Sequence, residues 1–309
     1  MALYLSNDDV RQLITTAECV EVLDDLFQQD ARGLVENIPR QRRKYGNAST
    51  TFMGGAALGS NAYAIRQNTV TLLVNTETGK LDGVLQPSTL AWIRTGAASG
   101  VATKYMAAPD ASVVGIIGTG RQASTQLEGI CAVRPIKTVK VFSRTVERRE
   151  EFAREMEDHL GVEVVPVATS AECLKGSQIV VTITNSREPV LDGNLLEPGT
   201  HVNAAGSNSW SRRELDEATV KRADLIVVDN LEQAKMECGE LLWAEERGIF
   251  HWPQAFELRD VVGGRVPGRP RLDAITLFES QGVCIEDTAA SAFVLSRARE
   301  RGLGQELPF

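Results

Sequence analysis

The feature that most constrains the fold is a glycine-containing turn that follows a short apolar run. Residues 112–117 read Ser-Val-Val-Gly-Ile-Ile, and a helical pattern begins soon afterwards. The two are joined by Gly118-Thr119-Gly120-Arg121-Gln122-Ala123. In such a G-x-G-x-x-A turn the first glycine permits a tight bend, the second admits a pyrophosphate, and the small sixth residue lets the helix pack on the strand. The sequence therefore predicts a βαβ unit that binds a dinucleotide at a helix N-terminus.

The end of the second strand of this unit indicates which dinucleotide to expect. The strand ends at Phe142 and is followed by Ser143, Arg144 and Thr145, with Arg148 close behind. An NAD-specific site usually has Asp or Glu here to bind the ribose hydroxyls, and no carboxylate stands among these residues. Guanidinium and hydroxyl groups suit a 2′-phosphate, so NADP(H) is favoured over NAD(H). The alternative is that Arg144 stacks on adenine or is only solvated.

The pattern along the chain predicts an α/β protein with two domains. Short apolar runs at 113–117, 138–142, 163–165, 178–182, 201–204 and 225–228 alternate with helical patterns. This alternation is typical of a Rossmann-type, doubly wound parallel sheet, which we assign to residues 111–283. Residues 1–110 have two capped helices, then strand patterns and a long helix, which predict a smaller α+β domain for substrate binding and dimerisation. A C-terminal helix within residues 284–309 is expected to complete that domain.

Composition argues against several classes of function. The net charge of -8 and the pI of about 5.2 disfavour a nucleic-acid partner or an anionic membrane surface, and no apolar run is long enough to span a membrane. The five cysteines form no C-x-x-C pair, and the three histidines are scattered. We therefore expect free thiols, no metal site and a reducing, cytoplasmic location.

Several motifs resemble those of the ornithine cyclodeaminase/mu-crystallin family. Residues 94–107 read Arg-Thr-Gly-Ala-Ala-Ser-Gly-Val-Ala-Thr-Lys-Tyr-Met-Ala and lead toward the glycine-containing turn, and residues 204–215, 275–278 and 285–288 also match. The resemblance covers nearly the whole chain. It implies a homodimer whose first domain binds a small carboxylate-bearing substrate and supplies the dimer contact, while the Rossmann domain binds the cofactor.

The resemblance also implies roles for particular residues. Arg40 and Arg94 fall on the family arginines that hold the substrate carboxylate, a role that suits a planar, permanently charged group. Two positions depart from the family pattern: Asn61 replaces the usual active-site lysine, and Asn208 replaces the usual aspartate. These asparagines are expected to orient the reacting nitrogen or oxygen. Thr95 and Thr184 are two further candidates for contact with nicotinamide. Capping of a helix or a loop explains these two residues equally well.

A carboxamide cannot take up or release a proton near neutral pH, whereas cyclodeamination needs groups that move protons to and from nitrogen. Hydride transfer to an already protonated imine requires less of the protein, because the cofactor brings the hydride. The sequence therefore predicts an NAD(P)H-dependent reductase or dehydrogenase that acts on a small α-imino, α-keto or α-amino acid. Two alternatives stay open: a mu-crystallin-like NADP-binding protein with little catalysis, and a cyclodeaminase-type lyase that uses NAD catalytically.

Overall fold

The computed structural model describes residues 1–308, which divide into two compact units. The first unit comprises residues 1–94 and the chain from Gly282 onward, and the second comprises residues 95–281. The strands are β1 (Ala2–Leu5), β2 (Val35–Tyr45), β3 (Ala48–Ala57), β4 (Ala62–Gln67), β5 (Val70–Asn75), β6 (Leu81–Leu85), β7 (Val113–Ile117), β8 (Thr138–Phe142), β9 (Glu163–Pro166), β10 (Ile179–Thr182), β11 (His201–Ala204), β12 (Leu225–Val228), β13 (Ala255–Glu257), β14 (Thr276–Glu279) and β15 (Gln305–Leu307). The helices are α1 (Asn7–Leu13), α2 (Thr16–Ala31), α3 (Ser88–Met106), α4 (Ala123–Cys131), α5 (Val146–Leu160), α6 (Ser170–Leu174), α7 (Glu217–Arg222), α8 (Leu231–Glu237), α9 (Gly239–Glu246), α10 (Leu258–Val262) and α11 (Cys284–Arg301).

The first unit is a seven-stranded sheet in the order β15-β1-β6-β5-β4-β3-β2, in which only β1 and β6 run parallel. Helix α11 covers one face: Thr288 Oγ1 donates to the carbonyl oxygen of Gly55, 2.8 Å away, and a side chain at Gly55 would strike the backbone of Ile285. Two capping boxes begin α1 and α2, with Ser6 and Thr15 as the capping residues. The first unit is therefore a mostly antiparallel sheet with α11 packed against it.

The second unit is an eight-stranded, wholly parallel sheet in the order β13-β12-β14-β11-β10-β7-β8-β9. Along β7, Val114 and Ile116 belong to one buried apolar cluster and Ile117 to another; along β10, Val181 and Val180 divide in the same way. Because neighbouring strand residues point to opposite faces, both faces of the sheet are covered. The predicted Rossmann-type fold is confirmed, with the order of strands reversing between β7 and β10.

The division between the units falls inside α3 and not at residue 110, where the sequence pattern places it. Helices α3 and α4 approach so closely that a side chain at Gly96 would lie 2.1 Å from the backbone oxygen of Thr125, and one at Gly129 would lie 2.3 Å from that of Gly96. Glycine permits this contact, so the part of α3 from Thr95 onward packs with the second unit. Among the helices of residues 1–308, none combines the length and apolar character needed to cross a membrane.

Candidate active site

The glycine-containing turn lies between β7 and α4 and has the geometry that phosphate binding requires. Gly118 has a left-handed φ of 116°, and a side chain there would lie 2.4 Å from the carbonyl oxygen of Ile183. Gly120 faces open space, with no atom within 4 Å of where its Cβ would be. Helix α4 begins at the buried Ala123, so the N-terminus of the helix follows directly on the turn. In a doubly wound sheet a ligand binds where the strand order reverses, and the turn stands at that place.

The residues predicted to read the 2′ position follow β8 directly. Arg144, Thr145 and Arg148 are exposed, and Thr145 is the N-cap residue immediately before α5. Ser143 is half-buried, and its hydroxyl donates to the carbonyl oxygen of Thr145 at 3.1 Å. The structure therefore places these four residues on one loop and first helical turn, with two guanidinium groups in solvent and no carboxylate among residues 143–145.

The predicted nicotinamide contacts, Thr95 and Thr184, and the substrate-orienting Asn208 lie at different depths. Thr184 follows β10, and its hydroxyl oxygen accepts from the backbone N–H of Ser186 at 3.1 Å. Asn208 is exposed in the loop after β11. Thr95 is buried in α3, and its carbonyl oxygen accepts from Gln126 Nε2 at 3.3 Å. The contact of Thr184 is the loop capping that the sequence left open as its alternative role.

Both predicted carboxylate-binding arginines are buried in the first unit. Arg40, on β2, donates through Nη2 to the carbonyl oxygen of Gly282 at 2.7 Å. Arg94, on α3, is 4% exposed; its Nη1 lies 2.9 Å from Glu286 Oε2, and its Nε lies 3.5 Å from Asp287 Oδ1. Both acids are in the first turn of α11. The arginines are thus held by the chain from Gly282 to Asp287.

A third arginine joins the same group. Arg66, on β4, places Nη1 2.6 Å from Asp287 Oδ1. Burial raises the pKa of Asp287, but the charges of Arg66, Arg94 and Arg40 outweigh it and hold this pKa below the usual range. Three arginines therefore face two buried carboxylates, Glu286 and Asp287, which leaves a net positive charge. We call these five residues the arginine cluster.

Asn61 has a backbone role that the sequence did not indicate. It is the one residue other than glycine with positive φ in residues 1–308, at 49°, and it follows a short 3-10 turn over Leu58–Ser60. Asparagine tolerates the left-handed conformation better than most residues do. Its exposed side chain donates through Nδ2 to Glu77 Oε1 at 3.0 Å. The contact shown is therefore with a neighbouring turn of the first unit.

Sequence reasoning did not assign a role in the site to Glu286 or Asp287, and for Arg66 it favoured packing or surface exposure over a place in the substrate pocket. The one available signal was a pair of adjacent acids at the start of a helix pattern, which usually means a favourable interaction with the helix dipole. What makes the acids part of the arginine cluster is their contact with Arg94, which lies nearly two hundred residues earlier in the chain.

Comparison with known proteins identifies the family. The family model for ornithine cyclodeaminase/mu-crystallin matches residues 3–302. The chain belongs to this family. A delta(1)-pyrroline-2-carboxylate reductase of Bacillus cereus is 35% identical over 243 residues, which cover 78% of this chain and 74% of the relative.

Two solved structures of family members superpose closely on the chain. One is the delta(1)-pyrroline-2-carboxylate reductase of Thermococcus litoralis in complex with NADH and L-proline, with a TM-score of 0.94, 33% identity, and coverage of 99% of this chain and 100% of that one. The other is an archaeal alanine dehydrogenase dimer with bound NAD, with a TM-score of 0.93, 29% identity, and coverage of 100% and 99%. The family and fold predicted from the sequence are confirmed, and the predicted oxidoreductase class agrees with these relatives.

Proposed function

We propose that this family member is an NAD(P)H-dependent reductase of small α-imino acids, which it converts to the corresponding α-amino acids. The observation that carries the proposal is the arginine cluster. Arg40 and Arg94 are buried, so their guanidinium groups can bind a carboxylate where water screens the interaction weakly. Arg40 and Arg94 are the proposed carboxylate-binding residues, with Arg66 held beside them by Asp287.

The proposed reaction requires little proton transfer by the side chains of the protein. A reduced nicotinamide dinucleotide, held by residues 118–123 and the start of α4, would supply the hydride that converts the C=N bond of a protonated imine to a C–N bond. The arginines hold the substrate carboxylate and so fix the α-carbon. Asn61 and Asn208 are amides, which donate and accept hydrogen bonds without exchanging protons near neutral pH. In this proposal they orient the nitrogen and leave its proton in place.

The cofactor half of the proposal rests on the turn at residues 118–123 and on the loop after β8. Gly118, Thr119, Gly120 and the start of α4 are proposed to hold the pyrophosphate. Arg144 and Arg148 favour a 2′-phosphate, and therefore NADP(H) over NAD(H), although the two relatives of solved structure carry NADH and NAD. A cytoplasmic location belongs to the same proposal, since every cysteine in residues 1–308 is free.

A turnover assay tests the reaction. Purified protein is mixed with reduced cofactor and delta(1)-pyrroline-2-carboxylate, or with an acyclic imino acid formed from a keto acid and ammonia, and the absorbance of the reduced nicotinamide is recorded. We expect stoichiometric consumption of the cofactor, faster with NADPH than with NADH. No turnover of either imine with either cofactor would sink the proposal. Ammonia release without net cofactor consumption would indicate a lyase, and cofactor binding alone a binding protein.

The two asparagines separate a specialised reductase from a weakened cyclodeaminase. The double variant Asn61→Lys, Asn208→Asp restores the family residues and adds a cation and an anion to sites that now carry neutral amides. We expect the imine reductase rate to fall, since Lys also fits the left-handed conformation at 61 less well than Asn. Gain of ammonia release from ornithine or alanine would contradict this expectation.

A homodimer is the proposed assembly, and one sheet face of the first unit supports it. Ile38 and Ile65 both lie opposite Gly54 in the register, on the face away from α11, and both are exposed. Phe52, two residues before Gly54, is exposed as well. Exposed apolar side chains grouped on a sheet indicate an interaction surface, and a symmetric dimer would cover it with the same surface of a second copy.

A further inference from the structure

A buried carboxylate in the second unit joins two neighbouring loops at the carboxyl ends of the parallel strands. Glu214 is fully buried; its Oε1 accepts from the backbone N–H of Thr184 at 2.5 Å, and its Oε2 accepts from that of Gly206 at 2.8 Å. Thr184 follows β10 and Gly206 follows β11, and these strands pair in parallel with Thr182 opposite Ala204. One side chain therefore spans the points where both strands end.

The chain is built closely around this carboxylate. A side chain at Gly206 would lie 2.5 Å from both Glu214 oxygens and 2.4 Å from the backbone nitrogen of Thr184. The backbone of Glu214 is itself fixed, because its N–H donates to Glu240 Oε1 at 2.6 Å and its carbonyl oxygen accepts from Val190 at 2.8 Å. Glycine at 206 is thus required by contact with the carboxylate, since its φ is not left-handed.

Burying a carboxylate costs desolvation free energy, which a contact between neutral loop residues does not. Burial raises the pKa of Glu214 above its usual value, and the hydrogen bonds from Thr184 and Gly206 oppose this rise. Hydrogen bonds to a charged acceptor are stronger and more directional than those to a neutral one. One carboxylate that accepts two such hydrogen bonds holds the two loop ends at a fixed separation. A single hydrogen bond to a neutral acceptor would not do so.

We propose that Glu214 is a positioning residue for the nicotinamide half of the dinucleotide. The inference rests on the proposed function. Glu214 joins the loop of Thr184, a candidate for nicotinamide contact, to the loop of Asn208, which is proposed to orient the substrate nitrogen. Both loops begin at the carboxyl ends of their strands, and β10 pairs with β7, the strand that leads to Gly118. A side chain at Gly118 would meet Ile183 and Thr184, but none of the contacts of Glu214 described above involves residues 118–123. We therefore expect loss of the carboxylate to act mainly on the nicotinamide side.

The variant Glu214→Gln tests this directly in the full-length protein. One carboxylate oxygen becomes an NH₂ group, which cannot accept, so one backbone N–H loses its acceptor. The affinity for NADPH is compared with that for 2′-phospho-ADP-ribose, which lacks nicotinamide, and NADH is compared with ADP-ribose in the same way. We expect the affinity for the reduced dinucleotide and kcat each to fall about tenfold, the scale of one lost hydrogen bond to a charged group, while the nicotinamide-free ligands bind within about twofold of wild type.

A matched control separates positioning from general stability. Glu257 is also buried and also accepts a backbone N–H, that of Leu231 at 2.7 Å, but it lies on β13 at the sheet edge four strands from β10. We expect Glu257→Gln to lower thermal stability without changing the ratio of the two affinities. The proposal is overturned if Glu214→Gln and Glu257→Gln have the same kcat and the same ratio of affinity for the reduced dinucleotide to affinity for the nicotinamide-free ligand.

A second variant covers the case in which Glu214→Gln does not fold. Gly206→Ala adds a methyl group against both carboxylate oxygens, and we expect the same selective loss of reduced-dinucleotide affinity. Unchanged affinities in Gly206→Ala would overturn the proposal. The affinity measurements need no substrate, so their result is independent of the imine turnover assay. Turnover by the wild type with an unchanged affinity ratio in the variants would reject the role of Glu214 alone.

Discussion

Replacing Arg94 by alanine perturbs the arginine cluster at its most buried arginine. The guanidinium lies 2.9 Å from one carboxylate of α11 and 3.5 Å from the other, and the side chains of Glu286 and Asp287 are almost wholly inaccessible to solvent. Removing one partner of a buried ion pair leaves the other charge without compensation and costs about 3–5 kcal/mol. We expect Arg94→Ala to lower the free energy of unfolding by this amount.

The measurement is urea unfolding, followed by circular dichroism and by tryptophan fluorescence. Arg297→Ala is the matched control in the same unit: Arg297 lies 2.7 Å from Glu18, but both side chains are partly exposed. A pair of this kind contributes about 0–1 kcal/mol. If Arg94→Ala lowers the free energy of unfolding no more than Arg297→Ala does, the ion pairs between Arg94 and the carboxylates of α11 do not stabilise the fold.

The same position separates binding of the substrate from binding of the cofactor. Arg94→Lys retains a positive charge but replaces a planar group with several donors by a single nitrogen. We expect the KM for the imino acid to rise at least about tenfold, because a misplaced charge-assisted contact loses about 2–5 kcal/mol at most, while affinity for the reduced cofactor stays within about twofold. A wild-type KM in Arg94→Lys would remove Arg94 from the carboxylate site.

Three further outcomes are expected. Arg144→Asp should shift the ratio of kcat/KM values from NADPH toward NADH, because it replaces a phosphate partner with a repelling charge; a fixed ratio would show that Arg144 does not read the 2′ position. Ile65→Asp should convert dimers to monomers in sedimentation, whereas Val165→Asp, an exposed apolar position of the second unit, should not; equal dimerisation in both would exclude the sheet face. Asp287→Asn should lower the free energy of unfolding at pH values above 3.8, the usual pKa of Asp. The difference in this free energy between variant and wild type should become smaller as the pH falls below 3.8, because a lowered pKa stabilises the folded state only while the carboxylate is charged. A difference that grows on acidification in urea titrations would contradict the sign.

Local patterns predicted the parts of the fold that depend on local physics. Strand β7 begins and ends where its apolar run does, because a buried parallel strand must be apolar on both faces. The capping boxes at Ser6 and Thr15 were readable because their partners lie three residues away. The glycine-containing turn is of the same kind, since all its requirements fall within six residues.

Features that depend on distant partners were not readable. Nothing near Arg94 indicates that its counter-charges come from α11, and nothing near Gly96 indicates that α4 packs against it. The division between the two compact units falls inside α3 for the second reason. The left-handed backbone at Asn61 was missed because sequence comparison treats the position as a lost lysine, whereas a turn also selects for asparagine.

The arginine cluster has a consequence for how the protein is made. Arg40, Arg66 and Arg94 leave the ribosome early, but their counter-charges at Glu286 and Asp287 follow only after the whole second unit, residues 95–281, has been synthesised. Domains tend to fold as units during synthesis, so the second unit can fold while the first still lacks α11. A nascent chain stopped before Gly282 would therefore carry a folded dinucleotide-binding unit behind an incomplete first unit, in which the buried arginines do not yet have the carboxylates of α11 beside them.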